Sequence, residues 1–546
     1  MTSKAARRRA RRINEKEGEN GAEVAAAPRL ILDVVVAGIL LGFMAFEARA
    51  SLNPDGVAYL ELSAAVVRGD WSTFVQGYWS PGYPLVLAPV VAWLQRDRYV
   101  LLLAVHLIQA VIGGGALALS VLAVRRRIPS ALQRAAFWVA AWSILRLVSQ
   151  EFVTPDLLLV TCIVAAIALM SRPSQASQVA IGLLAGAAFL CKTSIWPWLT
   201  VAALLACRPA WQAGSWNRAP WRMVTPAALI IGVWLVALSV KEGRPTLGSV
   251  GPLNIGWYLG ALDRRTADSY QGPHAMNRTA VLPSGAQIQF TDLRTANTTY
   301  LPWSQPELWA QGLPADSRVR FSVAQAMRSW RTNFAWSAKF VLPVAIGIAI
   351  MVVLSGAPGG RRDVLAWLND RPLLVTGLIA YATFVIVHVE QRLAAPAVLM
   401  ASFGALSGGT RTRRPWALRV SSLIFAGLLL GDSVRFAYQL RQTSAGTAAE
   451  LRSWQDYLGK RARGTARSGI VVVGPATTMM SRLWLGGLHV TTQFSGSSAS
   501  ALTELSNAQR SAWLRKLFGR DARGFVTQGA EANAEQVTTS YTLVTW

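Results

Sequence analysis

Three cysteines, four histidines and 28 acidic residues are all the metal-ligating and negatively charged chemistry that 546 residues carry. Cys162, Cys191 and Cys207 all fall inside apolar runs, and no pair has redox or metal spacing, so they read as inert packing residues. His106, His274, His388 and His489 are far apart in sequence, which leaves no zinc motif. Charged residues make up only 15% of the chain, against 52% hydrophobic. No internal repeat is present. The Gly474-Pro475 turn lacks the further glycines of a dinucleotide-binding loop.

The scarce charge is lopsided: 54 Lys and Arg give a net charge of +26. Lys4, Arg7, Arg8, Arg9, Arg11 and Arg12 cluster in the first 29 residues, yet no nucleic-acid module accompanies them, which argues against nucleic-acid binding. Basic residues collect in cytoplasmic loops of membrane proteins and near anionic lipid, which accounts for the excess more simply. Several apolar runs approach or exceed the roughly 20 residues that cross a bilayer core. The composition is that of a polytopic α-helical membrane protein. The first run lacks a small-residue cleavage site and reads as an uncleaved start-transfer anchor.

Alternation of apolar runs and basic loops yields about eleven transmembrane helices. They begin at about residues 30, 99, 131, 157, 179, 196, 223, 340, 373, 393 and 416. Pro81–Leu94 is short and broken by Pro84 and Pro89, so it reads as an interfacial or half-inserted helix. Five inner loops then carry fifteen basic residues, while the short outer loops carry mostly acids. The resulting organisation is a basic cytoplasmic tail (1–29), a transmembrane domain (30–432) and a soluble C-terminal α/β domain (433–546). Within the second lie an outer loop at 51–98 and a large outer loop at 241–335. An odd number of spans puts the C-terminal domain outside. In it, the buried-strand run Gly469–Gly474 and the segments His489–Phe494 and Ser540–Trp546 read as strands. Ala448–Lys460 and Ala476–Trp484 read as helices.

This topology places Asp55, the Glu151/Asp156 pair, Lys192 and the Glu390/Arg392 pair on one membrane face, although none of them was used to draw it. Ionisable groups at membrane depth cost about 2.5–3.5 kcal/mol each and mark function or an interface. Asn53-Pro54-Asp55-Gly56 is turn chemistry followed by a short helix, Val57 to Arg68, with Gly69 just past its end. Each group also has a plainer reading. Asp55 and Asp156 are in position to cap helices. Lys192 can snorkel to the interface, and Glu390 with Arg392 can form an interfacial ion pair. The aromatics around Tyr83 can be an interface belt.

The order of these features resembles the GT-C glycosyltransferases, integral membrane enzymes that include the lipid A aminoarabinose transferases and protein O-mannosyltransferases. The likeness lies in an acidic turn at Asp55, a helix ending in Gly69-Asp70-Trp71, and the aromatic-proline segment Trp79-Ser80-Pro81-Gly82-Tyr83-Pro84. Later features match in order: Asp156 or Glu151 after the third span, Gly186–Lys192–Trp196, and Glu390-Gln391-Arg392-Leu393 with Pro396. Leu393 stands where a tyrosine is usual. The resemblance covers roughly residues 30–430 and implies a GT-C-like fold.

It also implies a polyprenyl-phosphate-linked sugar as donor and inverting transfer to an envelope lipid, glycan or protein on the outer face of the cytoplasmic membrane. By the same resemblance Asp55 is the general base, Asp156 or Glu151 a second carboxylate, and Lys192 and Arg392 phosphate contacts. Tyr59, Tyr83 and Glu390 join the substrate-binding set. Some members bind a divalent metal between paired carboxylates; here the ligand set is thin, no cofactor is certain, and metal dependence stays open. Trp257, Tyr258, Tyr270, Trp303 and Trp309 of the large outer loop are candidates to stack on sugar rings or to form that loop's core. A secondary transporter or lipid flippase, with charges around a cavity, and a non-catalytic envelope-assembly protein are the competing classes. The first should show paired interrupted helices in two related halves, and no such symmetry is visible.

Overall fold

In the computed structural model, the described residues are chiefly 51–127, 153–170, 174–212, 219–260, 277–293, 321–335, 371–388, 391–407, 468–473, 488–494, 501–518, 524–530 and 539–545. The statements that follow concern these residues.

Most of them are helical. Helix α1 (Pro54–Val67) and the single turn α2 (Trp71–Phe74) come from the 51–98 segment. Pro54 fixes φ at the first helical position of α1, where its missing N–H costs nothing. Gly69, at φ +69°, ends α1 in a conformation that side-chain-bearing residues disfavour. Asp70 caps α2, accepting from the Thr73 amide at 3.1 Å and the Ser72 hydroxyl at 2.7 Å. These bonds, the hydroxyl first, hold its carboxyl below the usual range.

Helix α3 (Gly82–Leu94) packs on α1, and α4 (Arg98–Arg127) follows. Then come α5 (Asp156–Leu169), α6 (Gln175–Cys191), α7 (Trp196–Gln212), α8 (Ala219–Glu242) and α9 (Val250–Leu259). Helices α10 (Pro372–Val387) and α11 (Gln391–Ser407) lie side by side. The pairs α4/α5, α5/α6 and α6/α8 complete the bundle. Its core holds Leu157, Val160, Ile163, Leu199 and Phe403 fully buried, alongside buried polar groups such as Asp156, Gln178 and Ser402.

Two helical stretches, Arg98–Ser120 and Pro220–Glu242, are long and apolar enough to cross a membrane by length and composition. Six more apolar helices of 10–17 residues accompany them. On α8, Leu229, Val233, Val236 and Val240 form a row of exposed apolar side chains at helical spacing. The expected spans starting near residues 99, 157, 179, 196, 223, 373 and 393 coincide with helices to within a few residues at most ends. Those starting near 30, 131, 340 and 416 fall wholly or mostly outside the described residues, as do the helices expected at 448–460 and 476–484.

The strands form one six-stranded sheet of order β1-β2-β4-β3-β5-β6: β1 (Asn277–Val281), β2 (Gln287–Asp292), β3 (Ser468–Val473), β4 (Leu488–Phe494), β5 (Gly524–Ala530) and β6 (Thr539–Thr545). Central pairs β4/β3 and β3/β5 are parallel, and the others are antiparallel. The expected strands at 469–474, 489–494 and 540–546 are β3, β4 and β6. The hairpin β1/β2 belongs to the 241–335 loop, and Thr291 pairs with Gln493 of β4. Loop and tail, taken above as separate pieces, therefore share a sheet. Helix α12 (Asn507–Phe518) covers it, with Phe290, Phe494 and Phe518 packed together. Arg98 at the start of α4 stacks on Trp484 with 4.9 Å to the ring centroid and donates to its carbonyl, tying the tail to the bundle.

Candidate functional site

The site begins with how the N-terminal end of α1 meets the turn before α5. Asn53 occupies the cap position of α1 but does not cap it. Its Oδ1 instead accepts from the Val153 amide at 3.0 Å, joining two loops 100 positions apart. Gly56 permits the approach. A Cβ there would lie 2.7 Å from the Val153 Cβ and 2.8 Å from Asn53 Oδ1, closer than packed atoms tolerate. The contact carries Asp55 to the start of α5, where Asp156 sits in the first turn and Thr154 donates its hydroxyl to Asp156 Oδ2 at 2.9 Å.

Two cations complete the cluster. Lys192 is the residue at which α6 ends, its backbone extended at φ −162°, and its Nζ lies 2.5 Å from Asp156 Oδ1. Arg392, in the first turn of α11, donates through Nη2 to Asp55 Oδ2 at 2.6 Å. Its Nη1 lies 4.0 Å from Asp156 Oδ2. The order in space is Asp55, Arg392, Asp156, Lys192: carboxylate and cation alternate, and the four charges cancel. Asp156 is wholly buried, whereas the Lys192 side chain keeps 24% of its surface. An unpaired carboxylate at the position of Asp156 would be very costly, so its two cations are part of the fold as well as of the site.

All four residues line one cavity of about 460 Å³. Asn254, Trp257 and Tyr258 of α9 and Phe384 and His388 from α10 and its end also line it. Tyr258 and His388 stack face to face, centroids 4.0 Å apart at 6°. Tyr59 lines the cavity beside Asp55, wedged against Trp79 and Tyr83 with ring centroids at 5.2 and 5.6 Å. Its burial, then the charges of Asp55 and Asp156, push the phenol pKa well above its usual value, so the group is a neutral hydroxyl at any working pH.

No protein-family model matches the chain, and no curated protein matches it. Its overall shape is similar to that of solved structures. ArnT from Cupriavidus metallidurans in the apo state is 16% identical, with a TM-score of 0.42; the match covers 93% of this chain and 94% of that one. The same protein bound to undecaprenyl phosphate is 14% identical, with a TM-score of 0.43, covering 92% and 94%. The oligosaccharyltransferase of Archaeoglobus fulgidus, in its apo form, is 10% identical at a TM-score of 0.42, covering 91% of this chain and 69% of that one.

Of the residues singled out in the sequence, Asp55, Tyr59, Asp156, Lys192 and Arg392 meet at the cavity. Tyr83 does not line it: the ring is fully buried beneath Tyr59, and its hydroxyl has no hydrogen-bond partner. Glu151 and Glu390 lie outside the described residues, as do Tyr270, Trp303 and Trp309. Trp257 and Tyr258 are on the cavity wall. Among the described residues, Cys162 and Cys191 are buried free thiols, and His106 is tied to the Ser51 carbonyl at 2.9 Å.

Sequence reasoning missed Asn53 and Gly56 as positioning residues. It also missed Thr154 as an Asp156 partner, Asn254 as a lining residue and His388 as part of an aromatic pair. For the first two, the signal was present in the Asn-Pro-Asp-Gly turn, but a turn does not announce its distant contact. Among the described residues no three or more His, Cys, Asp and Glu side chains gather as a metal site. Asp55 and Asp156 are each held at salt-bridge distance by a cation.

Proposed function

We propose that this protein is an integral membrane glycosyltransferase of the GT-C kind. It transfers a sugar, with inversion, from a polyprenyl-phosphate-linked donor to an envelope lipid, glycan or protein. The observation that carries this reading is the alternating Asp55–Arg392–Asp156–Lys192 cluster on a cavity walled by aromatic rings. It combines what the reaction requires: a carboxylate to take a proton, cations to receive a phosphate, and flat apolar faces of the kind sugars pack against.

Asp55 accepts the proton of the acceptor hydroxyl or amine as its oxygen or nitrogen attacks the anomeric carbon. The bond from that carbon to the phosphate oxygen breaks, and its electron pair leaves on the polyprenyl phosphate. Lys192 and Arg392 stabilise that phosphate, Arg through its two-pronged donor set and Lys as a point charge. Asp156 holds both cations in place. Tyr59, fixed as a neutral phenol, offers a donor beside the base.

In this reading the exposed apolar row of α8 faces lipid, and about eleven helices span the cytoplasmic membrane with the cavity on its outer face. The prenyl chain then stays in the bilayer while its head group enters the cavity. The shared sheet of loop and tail then stands outside.

The direct test is turnover by the purified protein in lipid nanodiscs, supplied with polyprenyl-phosphate sugars and envelope acceptors. Release of polyprenyl phosphate coupled to a sugar mass on an acceptor supports the reading. A protein that binds none of the donors and releases no polyprenyl phosphate contradicts it.

A further inference from the structure

Arg392 has two claims on it, the carboxylate of Asp55 and the phosphate of a donor. Its Nη2 is committed to Asp55 Oδ2 at 2.6 Å, its Nη1 leans toward Asp156 at 4.0 Å, and the side chain is mostly buried. A phosphate arriving in the cavity needs that same fork. Asp55, meanwhile, can take a proton on Oδ2 only once the guanidinium has left that oxygen. Lys192 differs. It is held by Asp156, which makes no contact with the acceptor in the mechanism above, and it is the more exposed of the two cations.

We propose that Arg392 is a gate. With the cavity free of donor it locks Asp55. The donor phosphate draws the guanidinium away from Asp55, and only then is Oδ2 free to take the acceptor's proton. The base is thereby armed by the donor, so that acceptor deprotonation waits until a sugar is in place. This inference rests on the proposed function and deepens it by fixing the order in which the two substrates act.

Among the described residues, the remaining charged and titratable groups around Asp55 do not offer an equivalent lock. Asp156 on α5 is a like charge, Lys192 at the end of α6 is bonded to Asp156, and Tyr59 on α1 is a neutral phenol. His388, at the end of α10, lines the same cavity stacked on Tyr258. Arg392 is the cation within hydrogen-bond distance of Asp55.

Competition for one side chain has a thermodynamic signature. If Asp55 sequesters Arg392, only the fraction of molecules with a released guanidinium binds phosphate well, and the apparent affinity is reduced by that fraction. Removing the competitor should tighten binding while abolishing turnover. The probe is undecaprenyl phosphate added to the full-length protein in nanodiscs, with binding followed by native mass spectrometry.

The gate predicts that Asp55→Asn binds the probe about tenfold more tightly than the native protein. In an Arg392→Gln background the gain disappears, because there is no guanidinium left to release. Asp55→Ser serves as a second variant should Asp55→Asn fail to fold.

Equal or weaker binding by Asp55→Asn overturns the gate. So does a gain that persists in the Arg392→Gln background, since it would come from relieving repulsion between carboxylate and phosphate. If the native protein and Asp55→Asn both fail to bind the probe, the gate falls together with the donor assignment. A native protein that binds without the predicted pattern sinks the gate alone.

Discussion

Arg392 donates to Asp55 at 2.6 Å across 337 positions of sequence, joining the start of α11 to the start of α1. Replacing Arg392 by Lys keeps the charge and loses the fork, so one amine must choose between the carboxylate and the phosphate. Turnover of Arg392→Lys is expected to fall by at least about a hundredfold, the scale of losing one transition-state donor. Thermal stability should change far less. Steady-state kinetics beside a melting curve checks the split, and a parallel loss of both would make Arg392 a structural residue only.

Lys192 answers to Asp156. Lys192→Met leaves a wholly buried carboxylate with the Thr154 hydroxyl and a guanidinium 4.0 Å away. Breaking a buried pair costs roughly 3–5 kcal/mol, reduced to about 2–3 here because the lysine is a quarter exposed. Denaturant unfolding in detergent reads it. Adding Asp156→Asn to Lys192→Met should recover part of the loss, and additive losses would mean the pair is not coupled.

Asn53 tests how finely the two carboxylates are spaced. Asn53→Ala removes the acceptor of the Val153 amide, at about 1 kcal/mol for the bond. Activity should drop by more than that stability change accounts for, because Asp55 loses its anchor relative to Asp156. Asn53→Asp, which keeps the acceptor oxygen, should restore much of it. A rescue that fails would point to the amide itself.

How much of this was legible beforehand follows from which interactions are local. Helices such as α4, α5, α6 and α8 are written in continuous apolar runs, with the start of α5 marked by Thr154-Pro155-Asp156 and the end of α6 by Lys192-Thr193-Ser194. Asp55, Lys192 and Arg392 were legible because few charges fall near those ends. Hairpin β1/β2 was not, although Gln287-Ile288-Gln289-Phe290 alternates after the Pro283-Ser284-Gly285 turn. Its partner β4 lies about 200 residues away, and nothing local encodes that pairing. Strand β5 and helix α12 were missed as well, the former through its terminal glycines and the latter through its polar composition. Tyr83 misled in the opposite direction: its Gly-Tyr-Pro setting suggests a rim aromatic, whereas the ring packs in the core.

Tyr59 sets an alkaline limit. Its pKa is raised in the folded protein, chiefly by burial, while the unfolded chain ionises near pH 10. The stability linked to it is therefore present in full below about pH 10 and is lost as pH rises from there toward the folded value. Melting curves of native protein and Tyr59→Phe should run parallel at neutral pH and diverge above about pH 10, with the native protein falling faster. Divergence near pH 7 would mean that Tyr59 titrates there.

The central claim is that Asp55 is the base of a glycosyl transfer from a prenyl-phosphate donor. Cells lacking the protein, rescued with native chain or with Asp55→Asn, should be compared by mass spectrometry of envelope lipids, glycans and proteins. The account predicts that the null strain and the Asp55→Asn strain lose the same sugar mass from an acceptor and accumulate the same prenyl-phosphate sugar. Native chain restores both. Full rescue by Asp55→Asn, with the variant present at native levels in the membrane, would contradict it.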